Sequence, residues 1–487
     1  MISGYLMALL YDPLKGPLDF YERRAKRLLP AFFVTIIATL IVSYFVVIPP
    51  DMQQVSEQSI YAALFVSNVG FWLGESYFSK IAFTPLLHLW SLAVEIQFYL
   101  FVPLILFLEA KGRWVLPAII LGSLALCLTL VMVSPKTAFY FMPARVWEFA
   151  IGIAAARFSG GVGQNKRVGL MAALLLPLAC MIRTEPETQN LITGHPGGLA
   201  IVVSILTAVA LWGGFRFAVF QRLGNMSYSI YLAHFPAIVL TNYQPFGGTI
   251  LGGWQAFFVT VIASVVLYYG VERSKLFSRR LVLPAMVGVT VASVAIAPIQ
   301  ASRFDIASRK IFGALEDRAP YRCGKVFRLL NPRAETCLLW NGTQPPKGEI
   351  FLIGDSHADA IKEAFAEAAR ARGYAVRFAV ANDPLLVPSR DWSWASRQSR
   401  GPIVLHFAAG NLRKVDTRGA LVIPPTPQYK DSVPKMLYEL HRRGRPLPTD
   451  MQIDGVPLYF DADHLTLTGA RRMRGQFDVI VEDAISK

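Results

Sequence analysis

Nine apolar runs, near residues 29–48, 86–107, 114–133, 140–156, 168–182, 198–213, 226–241, 254–271 and 281–299, follow one another along the chain. Each approaches the roughly 20 residues that a helix needs to cross about 30 Å of hydrocarbon. This succession constrains the fold more than any other feature, because lipid offers the backbone no hydrogen bonds and a spanning segment must satisfy its own. Residues 1–299 therefore read as a polytopic α-helical membrane domain, and residues 300–487, which contain no such run, as something separate. A hydrophobic content of 54% with only 17% charged residues fits that class. The net charge of +15 would suit nucleic acid, but the basic residues punctuate the apolar runs instead of gathering on one soluble face, so no nucleic-acid partner is expected.

The basic residues sort the connections into two kinds. One holds Lys15, Arg23, Arg24, Lys26, Arg27, Lys111, Arg113, Arg157, Lys166, Arg167, Arg216, Arg222, Arg273, Lys275, Arg279 and Arg280; the other holds Lys80, Lys136 and Arg183. The positive-inside rule puts the first kind in the cytoplasm. The kinds alternate if residues 49–85 stay outside without crossing, so SIYAALFVSNVGFWL reads as a re-entrant or interfacial element, one more span being the alternative. The last run then leads outward and delivers residues 300–487 to the extracytoplasmic side. At the start, MISGYLMALLYD is apolar for about half a span and lacks the basic region and cleavage site of a signal peptide. It reads as the second half of a helix that begins upstream, which makes about ten spans with the first one truncated.

Ionisable groups at membrane depth are costly and therefore functional candidates. Here they are His88 and Glu95, two helical turns apart on one face, then Arg145, Glu148, His234 and Glu272. Arg145 and Glu148, three apart, could simply pair with each other, and His88 could be a solvated interfacial histidine. Arg24 and Arg27 lie three apart at the mouth of a helix, suited to the phosphates of an anionic ligand or to anchoring alone.

The outer part carries a different chemistry. IFLIGDSHADAI, residues 350–361, runs from a buried-strand pattern through Gly354-Asp355 into a helix-like segment, the way a nucleophilic serine, Ser356, is often presented. A serine needs a base, and the base needs a carboxylate to hold its tautomer. YFDADHLTLTGA offers Asp461 as orienter and His464 as base, three apart; Asp463 is adjacent, and its replacement by Asn is expected to be mild. The Ser356 N–H is the first expected oxyanion donor, and Gly410-Asn411, ending the strand-like PIVLHFAAGNL, is a second candidate. His357 reads as structural, pointing away from Ser356 if the strand continues. Cys323 and Cys337 flank a short polar loop on the oxidising side and are expected to form a disulfide, whereas Cys127 and Cys180 read as small buried residues. No metal-ligand spacing occurs, so no metal is expected.

Six ordered motifs, MISGYLM, FYERRAKRLLPAFF, LLHLWSLAVEIQFYLFVPL, ARVWEFAIG, LGNMSYSIYLAHFP and YYGVERS, resemble the markers of the membrane-bound acyltransferase-3 family. Residues 300–487 resemble the α/β SGNH-type hydrolase-like domain fused to some of its members, with 300–345 as linker and 346–487 as the domain. The resemblance implies a bacterial inner-membrane, multi-pass enzyme that takes an acyl group, usually acetyl, from cytoplasmic acetyl-CoA. The acceptor would be a hydroxyl of an extracytoplasmic glycan such as O-antigen or exopolysaccharide, and no cofactor would stay bound. It places Arg24 and Arg27 near the donor's phosphates and Glu95 along the intramembrane route. Ser3 matches a marker; Ile96 stands where a second glutamate is common, and Ser274 where proline is usual. Family members also carry an earlier helix with an arginine and a histidine, and a longer section than the 108 residues between Ser356 and His464. A chain lacking both could be an inactive truncated member. A membrane-tethered carbohydrate esterase would use the same serine site but needs only one span, and a transporter would account for the intramembrane charges.

Overall fold

The computed structural model describes residues 1–486 except 74–82, 159–164, 183–189, 192–195, 215–217, 244–252, 275–280, 321, 325–326, 328–330, 332–333, 335 and 380–400. Lys80, Arg183, Arg216, Lys275, Arg279 and Arg280 lie outside the described residues. The chain forms two compact units that part in sequence at Gln300–Ala301.

The first unit is helical. Five of its described helices are long and apolar enough to cross a membrane: Gly16–Val46, Leu89–Lys111, Val115–Val133, Trp254–Glu272 and Val282–Ala301. Two sequence expectations change in detail. The apolar run near 140–156 is not one helix: a short helix, Pro135–Tyr140, and a single turn, Met142–Ala144, precede the helix Val146–Phe158. Pro143, with no N–H to donate, interrupts it. The stretch between the first two long helices is split as well, into Pro49–Ala63 and Ser67–Leu73, with Phe65 at φ 57° in the left-handed region between them. Asn68 is buried and bonds both the Tyr140 carbonyl and Gln97, so this segment is tied into the helical packing by side-chain amides.

The helix Ile2–Leu10 lies against Val146–Phe158 at a glycine crossing. A Cβ on Gly4 would overlap the Phe149 carbonyl, and one on Gly152 the Met1 carbonyl, so neither position admits a side chain without separating the helices. Cys127 is buried, as expected of a small apolar residue, and its thiol donates to the Pro196 carbonyl. Cys180 falls in the helix Lys166–Met181.

The second unit is α/β. Its sheet contains β1 (Thr336–Leu339), β2 (Gly348–Gly354), β3 (Tyr374–Ala379), β4 (Ile403–His406) and β5 (Leu421–Val422) in the order β1-β3-β2-β4-β5. Strands β2 to β5 are parallel, and β1 pairs antiparallel with β3 at the edge. β2 is buried on both faces: Ile350 and Leu352 join the core beneath the helix Ser356–Arg370, while Phe351 and Ile353 pack with Leu405 and Phe407 on the other side. Such a strand reads as an unbroken apolar run because it has no solvent face. Chain order leaves β2 for β3 on one side and returns to β4 on the other. The C-terminal ends of β2 and β4 thus flank a switch point, where open α/β sheets place their ligands.

Cys323 and Cys337 are joined as a disulfide, with Cα atoms 6.3 Å apart, which pins the segment before the sheet to its edge strand. Lys362, fully buried, pairs with Asp359 at 3.0 Å and donates to the Pro320 carbonyl, holding the same segment against the helix. Further on, the Tyr459–Leu465 bridge closes the loop that contains Asp461 and His464. Thr466 then caps the helix Leu467–Arg472 through the Gly469 N–H, 2.9 Å away.

Candidate functional site

The turn after β2 is set by Gly354 and Asp355. A Cβ at Gly354 would overlap the His406 carbonyl of β4, so only glycine lets the strand end this close to its neighbour. Asp355 keeps extended backbone angles and caps the helix: Oδ1 accepts from the His357 N–H at 3.0 Å. Its other oxygen accepts from the Ala408 N–H at 3.0 Å and from the Asn411 side-chain amide at 2.8 Å, tying the serine turn to the loop after β4. Ser356 is exposed at the first helical position, where an N–H has no partner within its own helix.

Three of the expected residues meet there. His464 Nε2 lies 2.7 Å from Ser356 Oγ, and its Nδ1 lies 2.8 Å from Asp461 Oδ2. Asp461 uses its other oxygen to accept the main-chain N–H groups of His464 and Asp463, at 2.7 and 3.0 Å, so one carboxylate both shapes the loop and orients the ring. Burial pulls the His464 imidazole down, but the Asp461 hydrogen bond and the charges of Asp461, Asp463 and Asp355 outweigh it and hold it above the ordinary histidine value. Burial in turn pushes Asp461 up, and its bonds to His464 and to the loop N–H groups more than reverse that, leaving it below the usual carboxylate range.

Other placements differ from the sequence reading. The strand does not continue past Gly354. Ser356 and His357 stand instead on the first turn of a helix, and the His357 ring turns inward to lie 4.6 Å from that of His464. Asn411 is committed through one amide hydrogen to Asp355, which makes it a partner of the capping carboxylate; Gly410 lies beside it in the short helix Ala409–Leu412. Asp355, Thr426 and Phe460 were not singled out from sequence. An aspartate just before a helix is a recognisable capping signal, whereas Thr426 bonding His357 and Phe460 stacking on His464 at 5.5 Å are long-range or ring contacts with no local signature. His357, Asp463 and His464 offer side-chain atoms within 4.8 Å of one another, but both His464 ring nitrogens are already engaged, by Asp461 and by Ser356.

In the helical unit His88 is buried, not solvated, and its ring packs against Tyr231, His234 and Phe235 with centroids 5.3, 5.5 and 5.3 Å away. Among the described residues, its ring nitrogens lack a hydrogen bond of good geometry. Tyr231 joins this group through Ser91 Oγ at 2.6 Å, and His234 Nδ1 lies 2.6 Å from the Tyr231 carbonyl. Glu95 accepts from the Tyr99 hydroxyl, and Glu272 from Ser229 at 2.6 Å. Arg145 does pair with Glu148, at 2.9 Å, and lies over the Trp90 ring. Near the start of the first long helix, Arg23 and Lys26 are bridged to Asp19 and Glu22 one turn back, at 2.9 and 2.8 Å. Among the described residues, Arg24 and Arg27 form no such bridge, and the Nε of Arg24 is buried without a partner.

Residues 1–269 match the family described as "Acyltransferase domain", and residues 322–400 match "SGNH domain (fused to AT3 domains)"; the second match stops short of the Asp461–His464 loop. The chain belongs to this acyltransferase family and carries its fused SGNH domain. Curated relatives include a protein of Komagataeibacter xylinus named as a membrane-bound transacylase, BcsY, 31% identical over 57% of this chain and 74% of its own length. YrhL of Bacillus subtilis, named as a peptidoglycan O-acetyltransferase, is 28% identical over 58% of this chain and 51% of its own. The peptidoglycan O-acetyltransferase OatA of Listeria monocytogenes is 32% identical over 46% and 40%. The chain thus spans about half or less of the last two. No solved structure matches.

Proposed function

We propose that this protein is a membrane O-acetyltransferase that moves an acetyl group from cytoplasmic acetyl-CoA to a glycan hydroxyl outside, with Ser356 as the outer carrier. One observation carries the reading: a serine, imidazole and carboxylate in hydrogen-bonded series, in a chain whose other unit is an acyltransferase domain. His464 Nε2 takes the Ser356 proton as Oγ attacks the acyl carbonyl, the leaving group departs with that proton, and an acyl-serine ester remains. A glycan hydroxyl then gives its proton to His464, attacks the ester and releases Ser356 with the proton returned. The Ser356 N–H, first in its helix, is the backbone donor proposed for the oxyanion.

The names of the relatives support acetyl as the group and a cell-surface glycan as the acceptor. The unbridged Arg24 and Arg27 suit the donor's phosphates. About ten spans in a bacterial inner membrane, with the SGNH domain outside, are supported by the alternation of basic and non-basic connections. The test is transfer of radiolabelled acetyl from acetyl-CoA into surface glycan by membranes carrying the protein. Ser356→Ala should stop incorporation; incorporation at the original level would mean that the membrane domain transfers directly to sugar.

A further inference from the structure

We infer that Asp463 and His357 are positioning residues that hold the catalytic imidazole from a second side. The inference rests on the triad reading above and adds to it. Spacing alone assigns the orienting task to Asp461, but Asp463 Oδ1 lies 3.0 Å from His464 Nδ1, against 2.8 Å for Asp461 Oδ2. The Nδ1–H bond itself goes to Asp461, and the Asp463 carboxylate lies beside it as a second negative charge at contact distance. When His464 takes the serine proton, both face the positive charge that forms.

Asp463 is itself held on several sides. Its N–H donates to Asp461, its carbonyl accepts from Thr426 Oγ1 at 3.0 Å, and its Oδ2 accepts from Gln428 Nε2 at 3.4 Å. Thr426 spends its only hydrogen on that carbonyl, so at 2.9 Å from His357 Nδ1 its oxygen must accept, which fixes the neutral His357 proton on Nδ1. His357, 5% exposed, also packs its ring against that of His464. The helix bearing the nucleophile, the loop after β5 and the loop bearing the base are thereby coupled through Thr426 and His357. Neither Asp463 nor His357 contacts Ser356 Oγ in this network; both act through His464.

The test uses the full chain in membranes, with hydrolysis of p-nitrophenyl acetate as the assay and rates expressed per Ser356 titrated by a fluorophosphonate, so that unfolded protein is not counted. The charged and titratable groups facing the His464 ring are Asp461, Asp463, Asp355 and His357. Asp463→Asn should lower kcat about tenfold with KM unchanged, a fraction of what general-base catalysis contributes, and should move the acid limb of kcat/KM to lower pH because one facing negative charge is gone. Asp461→Asn combined with Asp463→Asn should fall about tenfold or more below Asp461→Asn alone. His357→Phe, which keeps a ring but loses the Thr426 tie, should lower kcat about threefold. A double variant no slower than Asp461→Asn, an unmoved acid limb, or a loss carried by KM would overturn the inference while leaving the triad intact. Failure of wild-type Ser356 to react with the fluorophosphonate would instead overturn the triad reading, and this inference with it.

Discussion

Replacing Asp355, which touches no reacting atom, should damage both the stability and the rate of the outer unit. Its carboxylate is 8% exposed and accepts three hydrogen bonds, from the His357 N–H, the Ala408 N–H and the Asn411 amide. Asp355→Ala removes a helix cap, worth about 1 kcal/mol, and two bonds to a charged acceptor, each worth about 1.5–3 kcal/mol. With water reaching the half-buried Ala408 and Asn411 and recovering part of this, the net loss should be about 3–5 kcal/mol. At a urea dependence of about 2 kcal/mol per molar, the unfolding midpoint should drop by about 2 M, read by pulse proteolysis of the full chain in membranes. Asp355→Asn is the informative companion. An amide can accept on only one side, so it should keep the Ala408 and Asn411 bonds or the cap, but not both, and cost about 1–2 kcal/mol. Ester hydrolysis should fall with the same ranking, since the cap fixes the turn on which Ser356 stands. A midpoint shift below about 0.5 M for Asp355→Ala would refute the reasoning, because it would mean that none of the three bonds is worth more than its replacement by water.

Two other outcomes follow from the geometry. Catalysis needs His464 neutral and its imidazole is held above the ordinary value, so ester hydrolysis should decline on acidification with a midpoint above about 6.5; a pH–rate profile of kcat/KM checks this, and a midpoint below 6 would contradict it. Arg24→Ala with Arg27→Ala should abolish acetyl transfer from acetyl-CoA by at least about a hundredfold while membrane insertion persists, since Lys15, Arg23 and Lys26 still mark the inner side; equal transfer by the double variant would reduce the pair to an anchor.

The sequence was most informative where chemistry is local. Ser356 follows a strand and precedes a helix, and Asp461 lies one turn from His464, so their types and spacing carry the triad even though 108 residues separate its halves. The partners that hold the triad were less legible. His357 was expected to point away on the assumption of strand alternation, but once Asp355 caps a helix, successive side chains diverge by about 100° and not 180°. Asn411 reads as a free amide until β4 is placed beside β2, when its partner turns out to be Asp355. In the helical unit, hydropathy located the long helices well. It could not register Pro143 as a break in the run near 140–156, or the left-handed Phe65 that divides the stretch between the first two long helices, because both act on the backbone and leave the apolar average unchanged.

The order of the triad along the chain also orders events in time. The nucleophile lies in the first strand–helix unit of the parallel sheet, and its base arrives only with the Tyr459–Leu465 loop, after every strand of that sheet has been made. Until that loop is in place, Ser356 Oγ is without the His464 Nε2 that lies 2.7 Å from it in the folded domain. On the proposed reading, a domain in which that loop has not docked would lack the base and carboxylate of the serine site, so a half-made domain would not lose acyl groups to water.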